Sequence, residues 1–362
     1  MTLLRPTAID RIHASAESIH PLSPELTAKA ARHLDQLTKP QGSLGQLESL
    51  AVQLIAIRGE DIELPLQKAI YVFAADHGVA RAGVSAYPPE VTAQMVVNFI
   101  RGGAAINVLA RQHGAALTVV DCGVDAEFDE SPGLRNMKVR RGSRNFLEEP
   151  AMTEKEMLAA LEAGFALADE AYTQGVELVI AGEMGIGNTT AASTITAILT
   201  QRDPAEVTGK GTGLDDAGRN RKLNVIRRAL RKYFPDTANV PVLYLLQCVG
   251  GLEIAAMTGF VLGAAQKRMI VVCDGFISTA AAALAVGLAP NVKHYLVAGH
   301  CSEEPGHRFL LRHLGLNPIL RLDMRLGEGT GAALALPIVE SALRLYWEMA
   351  TFESAGVSEA SA

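Results

Sequence analysis

Aromatic residues are scarce in this chain. They make up 5% of 362 positions, with a single tryptophan. That argues against a binding site built as an aromatic sandwich. Cysteine is sparse too: Cys122, Cys248, Cys273 and Cys301 form no C-x-x-C pair, and no His/Cys spacing suits zinc. They read as reduced, packed thiols in a reducing compartment. Basic excess is missing. With 33 Lys and Arg against 39 Asp and Glu, the net charge is −6, and no long basic run occurs. The electrostatic footprint of a nucleic-acid binder is therefore absent, and pairs such as Arg140-Arg141 and Arg227-Arg228 read as solvated faces. Long apolar runs are also lacking. The longest apolar zone, Leu252 to Val292, is broken by Glu253, Lys267, Arg268 and Asp274, so no membrane span is expected. Met1 to Ile19 has charges and no apolar h-region, so no signal peptide is expected and the protein is placed in the cytoplasm.

What is present points to a folded α/β chain. Hydrophobic residues reach 49% and glycine 33 positions, which excludes a disordered chain. The length allows two or three domains. Five short apolar runs rich in β-branched residues each end in small or polar residues. They are Ala69–Ala74 before Asp76-His77-Gly78, Ala116–Val120 before Asp121-Cys122-Gly123, Val176–Ile180 before Gly182-Glu183, Met269–Cys273 before Asp274-Gly275, and Tyr295–Val297 before Gly299-His300. Strands buried on both faces look like this. Helical stretches lie between and beyond them: Glu90–Gln112, Glu154–Thr173, Thr189–Thr200, Ser278–Leu288 and Ala332–Met349. Pro241–Val249 reads as helix. Alternating elements predict an open, doubly wound, mainly parallel sheet. In such sheets ligands bind beyond the carboxyl ends of the strands. Asp76, His77, Asp121, Glu183, Asp274 and His300 are thus candidates on one rim, each with the alternative of capping a helix or turn.

Two segments carry the most pointed chemistry. Gly182-Glu-Met-Gly-Ile-Gly-Asn-Thr-Thr190 follows a strand and opens a helix. Its free amides and the helix dipole suit an anion, so Gly185, Gly187, Asn188 and Thr189 read as phosphate binders. It lacks the third glycine of the dinucleotide fingerprint and the Gly-Lys-Ser/Thr of a P-loop. In Thr208–Gly213, Lys210 or the later Lys222 could reach an anion, although surface lysine is the commoner fate. Ser302 could donate to a phosphate. His300 and His307 read as hydrogen-bonded structural histidines. Arg325-Leu-Gly-Glu-Gly-Thr-Gly331 sets Glu328 between glycines. A flat ligand could come close there, and apolar surroundings would raise the acid's pKa and sharpen it as a base. The same glutamate could simply open the last helix, and chemistry alone leaves both readings open.

Six motifs occur in order: Lys39-Pro-Gln-Gly-Ser-Leu-Gly45, Ala75-Asp-His-Gly78, Gly182–Thr190, Asp274-Gly-Phe276, Gly299-His-Cys-Ser-Glu-Glu-Pro-Gly-His307 and Arg325–Gly331. Across about residues 5–350 the chain resembles the nicotinate-nucleotide–dimethylbenzimidazole phosphoribosyltransferases. Gln41 departs from the proline common there. The resemblance implies transfer of the phosphoribosyl group of nicotinate mononucleotide to 5,6-dimethylbenzimidazole, giving α-ribazole 5′-phosphate and nicotinate for cobalamin assembly. It implies a homodimer with no metal or redox cofactor. It also implies a Rossmann-like large domain (60–330), a small helical domain from both chain ends (1–59 with 331–352), and a tail (353–362) that composition marks as frayed. By matched position, Glu328 is the general base and Glu183 an active-site carboxylate near the ribose. Gly185, Asn188, Ser302 and Arg325 hold the nucleotide, Lys222 and Asp274 are polar site positions, and Tyr87, Pro88 and Gln94 help form the benzimidazole pocket. The rival readings are a phosphoribosyltransferase with another aromatic acceptor, an NAD-dependent oxidoreductase, which the fingerprint mismatch disfavours, and a non-catalytic nucleotide-binding regulator, which the two rim carboxylates disfavour.

Overall fold

The computed structural model describes residues 8–211 and 213–358. Its centre is one six-stranded sheet: β1 (Lys68–Ala75), β2 (Ala116–Gly123), β3 (Leu134–Asn136), β4 (Leu178–Met184), β5 (Ile270–Cys273) and β6 (Leu296–Ala298). The spatial order is β3-β2-β1-β4-β5-β6, and every neighbouring pair is parallel. This is the doubly wound order, with its switch point between β1 and β4. Every residue of β1 and β5 is buried, as their unbroken apolar runs predict. Edge strand β3 is not foreshadowed: it has three residues, and only Leu134 is apolar. β4 runs on through Glu183 to Met184, so that carboxylate stands on the strand itself. Tyr295 belongs to a 3₁₀ turn (Pro290–Tyr295), not to β6.

Helices cover both faces. On one side α6 (Glu154–Thr173) and α11 (Leu252–Gln266) pack together, α11 also touching β1, β2, β4 and β5. Their backbones meet through glycines: a methyl on Gly164 would lie 1.9 Å from the Ala256 carbonyl oxygen. α3 (Gln46–Arg58), α5 (Ala105–Gln112) and α14 (Thr330–Glu348) lie against β5, β2 and β4 respectively. The stretch Glu90–Gln112 is two helices, α4 (Val91–Ile100) and α5. Gly102 adopts φ +78° and Gly103 backs onto the Asn98 side chain, so the chain turns there. The other readings hold with small shifts of boundary: α7 (Asn188–Thr200), α10 (Val242–Val249) and α12 (Phe276–Leu288). The remaining helices are α1 (Ala8–Ser18), α2 (Pro24–Gln36), α8 (Pro204–Val207), α9 (Asp216–Tyr233), α13 (Pro305–Leu314) and α15 (Phe352–Ala355).

The two chain ends meet. α2 and α14 pack on α3, His33 Nε2 bonds the Tyr346 carbonyl at 2.8 Å, and Thr38 N donates to the Ala350 carbonyl at 2.9 Å. α1 goes elsewhere. It packs on α6 and α11, with Arg11 bonding Glu162 and Asp169. The segment read as a frayed tail contains α15, capped by Thr351, and its last four positions, 359–362, lie outside the described residues, as do 1–7 and Thr212. All four cysteines are free and buried. No helix among the described residues is long and apolar enough to cross a membrane.

Candidate active site

The end of β4 and the loop before α14 form one backbone unit. Gly182 sits so close to that loop that an added methyl would lie 2.3 Å from the Glu328 carbonyl oxygen. Glu328 N donates to the Glu183 carbonyl at 3.3 Å. Gly327, Glu328 and Gly329 all take positive φ, at +86°, +64° and +93°. Only glycine adopts that region freely, and a glutamate held there is strained. The flanking glycines thus answer to backbone geometry as well as to room for a ligand.

Glu328 is held from outside its own segment, and Glu183 from within its own turn. One Glu328 oxygen accepts from Ile106 N, in the first turn of α5, at 3.3 Å. Burial pushes the Glu328 carboxyl up, that bond opposes it, and the Asp274 charge adds to it. Glu183 is pushed up to about 8, first by burial, against its hydrogen bond from Asn188 Nδ2; the Asp274, Glu253 and Glu328 charges add to the rise. Asp274, at the end of β5, accepts from Gly329 N at 3.2 Å and Ala332 N at 3.0 Å. It clamps both the loop and the first turn of α14. His300 Nε2 lies 3.6 Å from the same carboxylate. Burial raises the Asp274 pKa, while His300 and the backbone donors oppose it.

A cleft opens beside this unit. Its walls include Glu183, Gly185, Asn188, Thr189, Ser302 and Arg325, together with Met184, Ile186, Phe276, His300, Glu304, Leu326 and Gly327. Phe276 is the one Phe, Tyr or Trp in that lining, and the aliphatic side chains Met184, Ile186, Ile277 and Leu326 share it with polar groups and glycines. The Gly182–Thr190 turn enters α7 through Gly187 (φ +99°). Several of its amides are already used: Ile186 N donates to Thr92 Oγ1, Asn188 N to the Gly185 carbonyl and Thr190 N to the Gly187 carbonyl. A cation is close instead. Lys222 of α9 is fully buried, and its Nζ donates to Thr189 Oγ1 at 2.8 Å. That corrects the expectation of a surface lysine. Burial lowers its pKa to about 8 against the pull of the Glu304 charge. Lys210 does stay at the surface, paired with Asp216 at 2.8 Å.

The structure does not gather every candidate into the cleft lining. Glu328, Asp274 and Lys222 touch residues that line it, as just described. Tyr87, Pro88 and Gln94 are exposed on and before α4 and are not part of the lining, while Thr92 of that helix bonds the turn. Asp121 and Asp76 are occupied by backbone amides of Val124 and Asp125. His307 accepts from Ser302 N at 2.9 Å and contacts Thr279 Oγ1 at 2.9 Å, and burial lowers its pKa to about 3, which fits the structural reading. No group of three His, Cys, Asp or Glu suited to a metal occurs among the described residues. Glu304, the Ile106 amide and Thr92 were not singled out from sequence. Glu304 lies in the motif that follows β6, but nothing in the sequence spacing links Ile106 or Thr92 to the strand ends.

A phosphoribosyltransferase family model matches residues 19–357. The chain is 51% identical over 341 residues to the nicotinate-nucleotide–dimethylbenzimidazole phosphoribosyltransferase of Geotalea uraniireducens, covering 94% of this chain and 96% of that one. It is 50% identical to the enzyme of the same name from Geobacter metallireducens, covering 99% of each chain. A crystal structure of CobT from Thermus thermophilus superimposes with a TM-score of 0.89 at 47% identity, covering 93% of this chain and 100% of that chain. With this likeness along nearly the whole chain, the protein belongs to the nicotinate-nucleotide–dimethylbenzimidazole phosphoribosyltransferase family.

Proposed function

We infer that this protein transfers the 5-phosphoribosyl group of nicotinate mononucleotide to 5,6-dimethylbenzimidazole, releasing nicotinate and forming α-ribazole 5′-phosphate, a step of cobalamin biosynthesis. The observation that carries the reading is a buried carboxylate, Glu328, bonded through its backbone to a second carboxylate, Glu183, at the strand ends beside a glycine-walled cleft.

The chemistry suits those groups. In the donor the ring nitrogen is cationic, so nicotinate leaves with that nitrogen neutral and C1′ needs no metal clamp. The acceptor nitrogen attacks C1′ from the opposite face, which converts the β-linkage into an α-linkage. The attacking ring becomes cationic unless its other N–H gives up a proton. Glu328 takes that proton, and its raised pKa makes it a better acceptor. Glu183 stands by the ribose. Gly185, Asn188, Thr189, Ser302 and Arg325 hold the nucleotide, with Lys222 supplying positive charge behind Thr189. Asp274 acts on the base through its clamp on Gly329 and Ala332. Tyr87, Pro88 and Gln94 belong to the acceptor side of the pocket. The chain works in the cytoplasm as a homodimer, and α2, α3 and α14, from its two ends, pack together beside the sheet.

Mixing the protein with both substrates and following nicotinate and an α-riboside tests the reaction. No product at high enzyme concentration overturns it. Glu328→Gln is expected to lower kcat ~10²–10⁴-fold, the scale of a lost general base. Undiminished turnover in that variant removes Glu328 from the role.

A further inference from the structure

Beneath the Gly182–Thr190 turn lies a pair that the reaction as described does not use. His77, just past β1, and Glu253, in the first turn of α11, have fully buried side chains, and His77 Nε2 lies 2.5 Å from Glu253 Oε1. The other polar atom of each, His77 Nδ1 and Glu253 Oε2, is buried without a protein partner. The pair is pressed against two glycines. A methyl on Gly185 would lie 2.6 Å from the Ala75 carbonyl oxygen, at the end of β1, and 3.3 Å from both Glu253 Oε1 and His77 Cδ2. A methyl on Gly251 would lie 2.2 Å from His77 Cε1 and 2.7 Å from Glu253 Oε2. Two residues on, Gly187 rests against Ala80, three residues after His77. Three chain segments thus converge at the switch point of the sheet, and the imidazole–carboxylate contact is the layer between them.

Stability does not call for such a pair. A buried ionisable pair pays a desolvation cost, and apolar residues of the same shape often do as well or better. What a hydrogen bond adds is a fixed separation and orientation, where apolar surfaces can slide. We propose that His77 and Glu253 are positioning residues for the donor half of the site: their bond sets the height of Gly185, and so the placement of Glu183 and Asn188 on either side of it. This rests on the phosphoribosyl-transfer reading given above.

Three variants test it. His77→Phe with Glu253→Met removes both polar partners together, so no orphaned charge is left in the core. Gly251→Ala leaves both groups present but pushes against them. Glu253→Gln keeps an acceptor for the imidazole N–H in the same shape. The double variant and Gly251→Ala are expected to raise the KM for nicotinate mononucleotide roughly tenfold, the effect of a misplaced binding loop. The KM for dimethylbenzimidazole should change little in each, Gly251→Ala should lower the melting temperature because of its 2.2 Å clash, and Glu253→Gln should keep a donor KM close to wild type. A purely structural role would move stability and both KM values together. Either displaced variant, folded and with a donor KM within about twofold of wild type, overturns the proposal. So does a Glu253→Gln variant as impaired as the double one. Donor binding by calorimetry on the same proteins separates the two inferences. If wild type binds the donor yet makes no riboside, the reaction fails, and the Kd values across the variants still decide the positioning role.

Discussion

Glu183 and Glu328 are joined by one backbone hydrogen bond, yet burial acts on them unequally. Glu183 is pushed to about 8, so between its ordinary value of 4.5 and about 8 the folded chain keeps a proton that the unfolded chain has released. Stability contributed at this position therefore falls as pH rises through that window. Glu183→Gln is expected to stabilise the protein by roughly 2 kcal/mol at pH 8 and by little at pH 5, after discounting the full shift for relaxation. Urea denaturation at the two pH values checks it, and an equal effect at both would rule out this origin. The same substitution should slow transfer, because the titratable acid beside the ribose is lost. Lys222 is the mirror case. Its buried ammonium is lowered to about 8, and a phosphate beside it would favour the charged form. Lys222→Met is expected to raise the donor KM at least about tenfold, in line with the loss of a charge-assisted bond. Steady-state kinetics with the acceptor saturating measures this, and an unchanged KM would place the phosphate elsewhere.

At the scale of elements, the base is aimed by helix ends. α14 begins at Thr330, and Asp274 from β5 caps it by taking the Gly329 and Ala332 amides. α5 begins after the Gly102-Gly103 turn and offers the Ile106 amide to Glu328. Both contacts depend on where a helix starts. Asp274→Asn turns an NH₂ toward one of the two backbone donors. It is expected to cost about 1–3 kcal/mol of stability and to lower kcat about tenfold, with the substrate KM values changing less than kcat. Thermal denaturation and initial rates check both parts, and a variant with wild-type kcat would reduce Asp274 to a helix cap. The break between α4 and α5 is marked in the sequence by Gly102-Gly103, a turn signal that the apolar pattern around it outweighs. Residues 90–112 hold enough apolar positions for one continuous helix, and only the turn required to reach Glu328 gives the two glycines their meaning.

At the scale of the whole molecule, the winding order brings β1 and β4 side by side and directs their succeeding loops to opposite helical layers. The crevice this opens is filled by the Gly182–Thr190 turn and the Glu328 loop. Leu322 and Leu326, on the segment leading to that loop, are about half exposed at 52% each, and Leu326 lines the cleft. Equilibrium sedimentation at micromolar concentration is expected to give twice the mass of the chain. A single-chain mass that persists on concentration would exclude the homodimer.

The sequence alone determined the class of sheet, because strands buried on both faces must be apolar throughout and the helices between them must be amphipathic or apolar. It also determined which segments carry the chemistry, since strand ends with Gly, Asp, Glu and His stand out against those runs. Tertiary structure alone decided which of those groups meet. Glu328 reaches the Ile106 amide across 222 positions, His77 reaches Glu253 across 176, and Lys222 is buried although a lysine in a polar helix reads as exposed. Those pairings depend on strand order and on where helices begin, and local periodicity records neither.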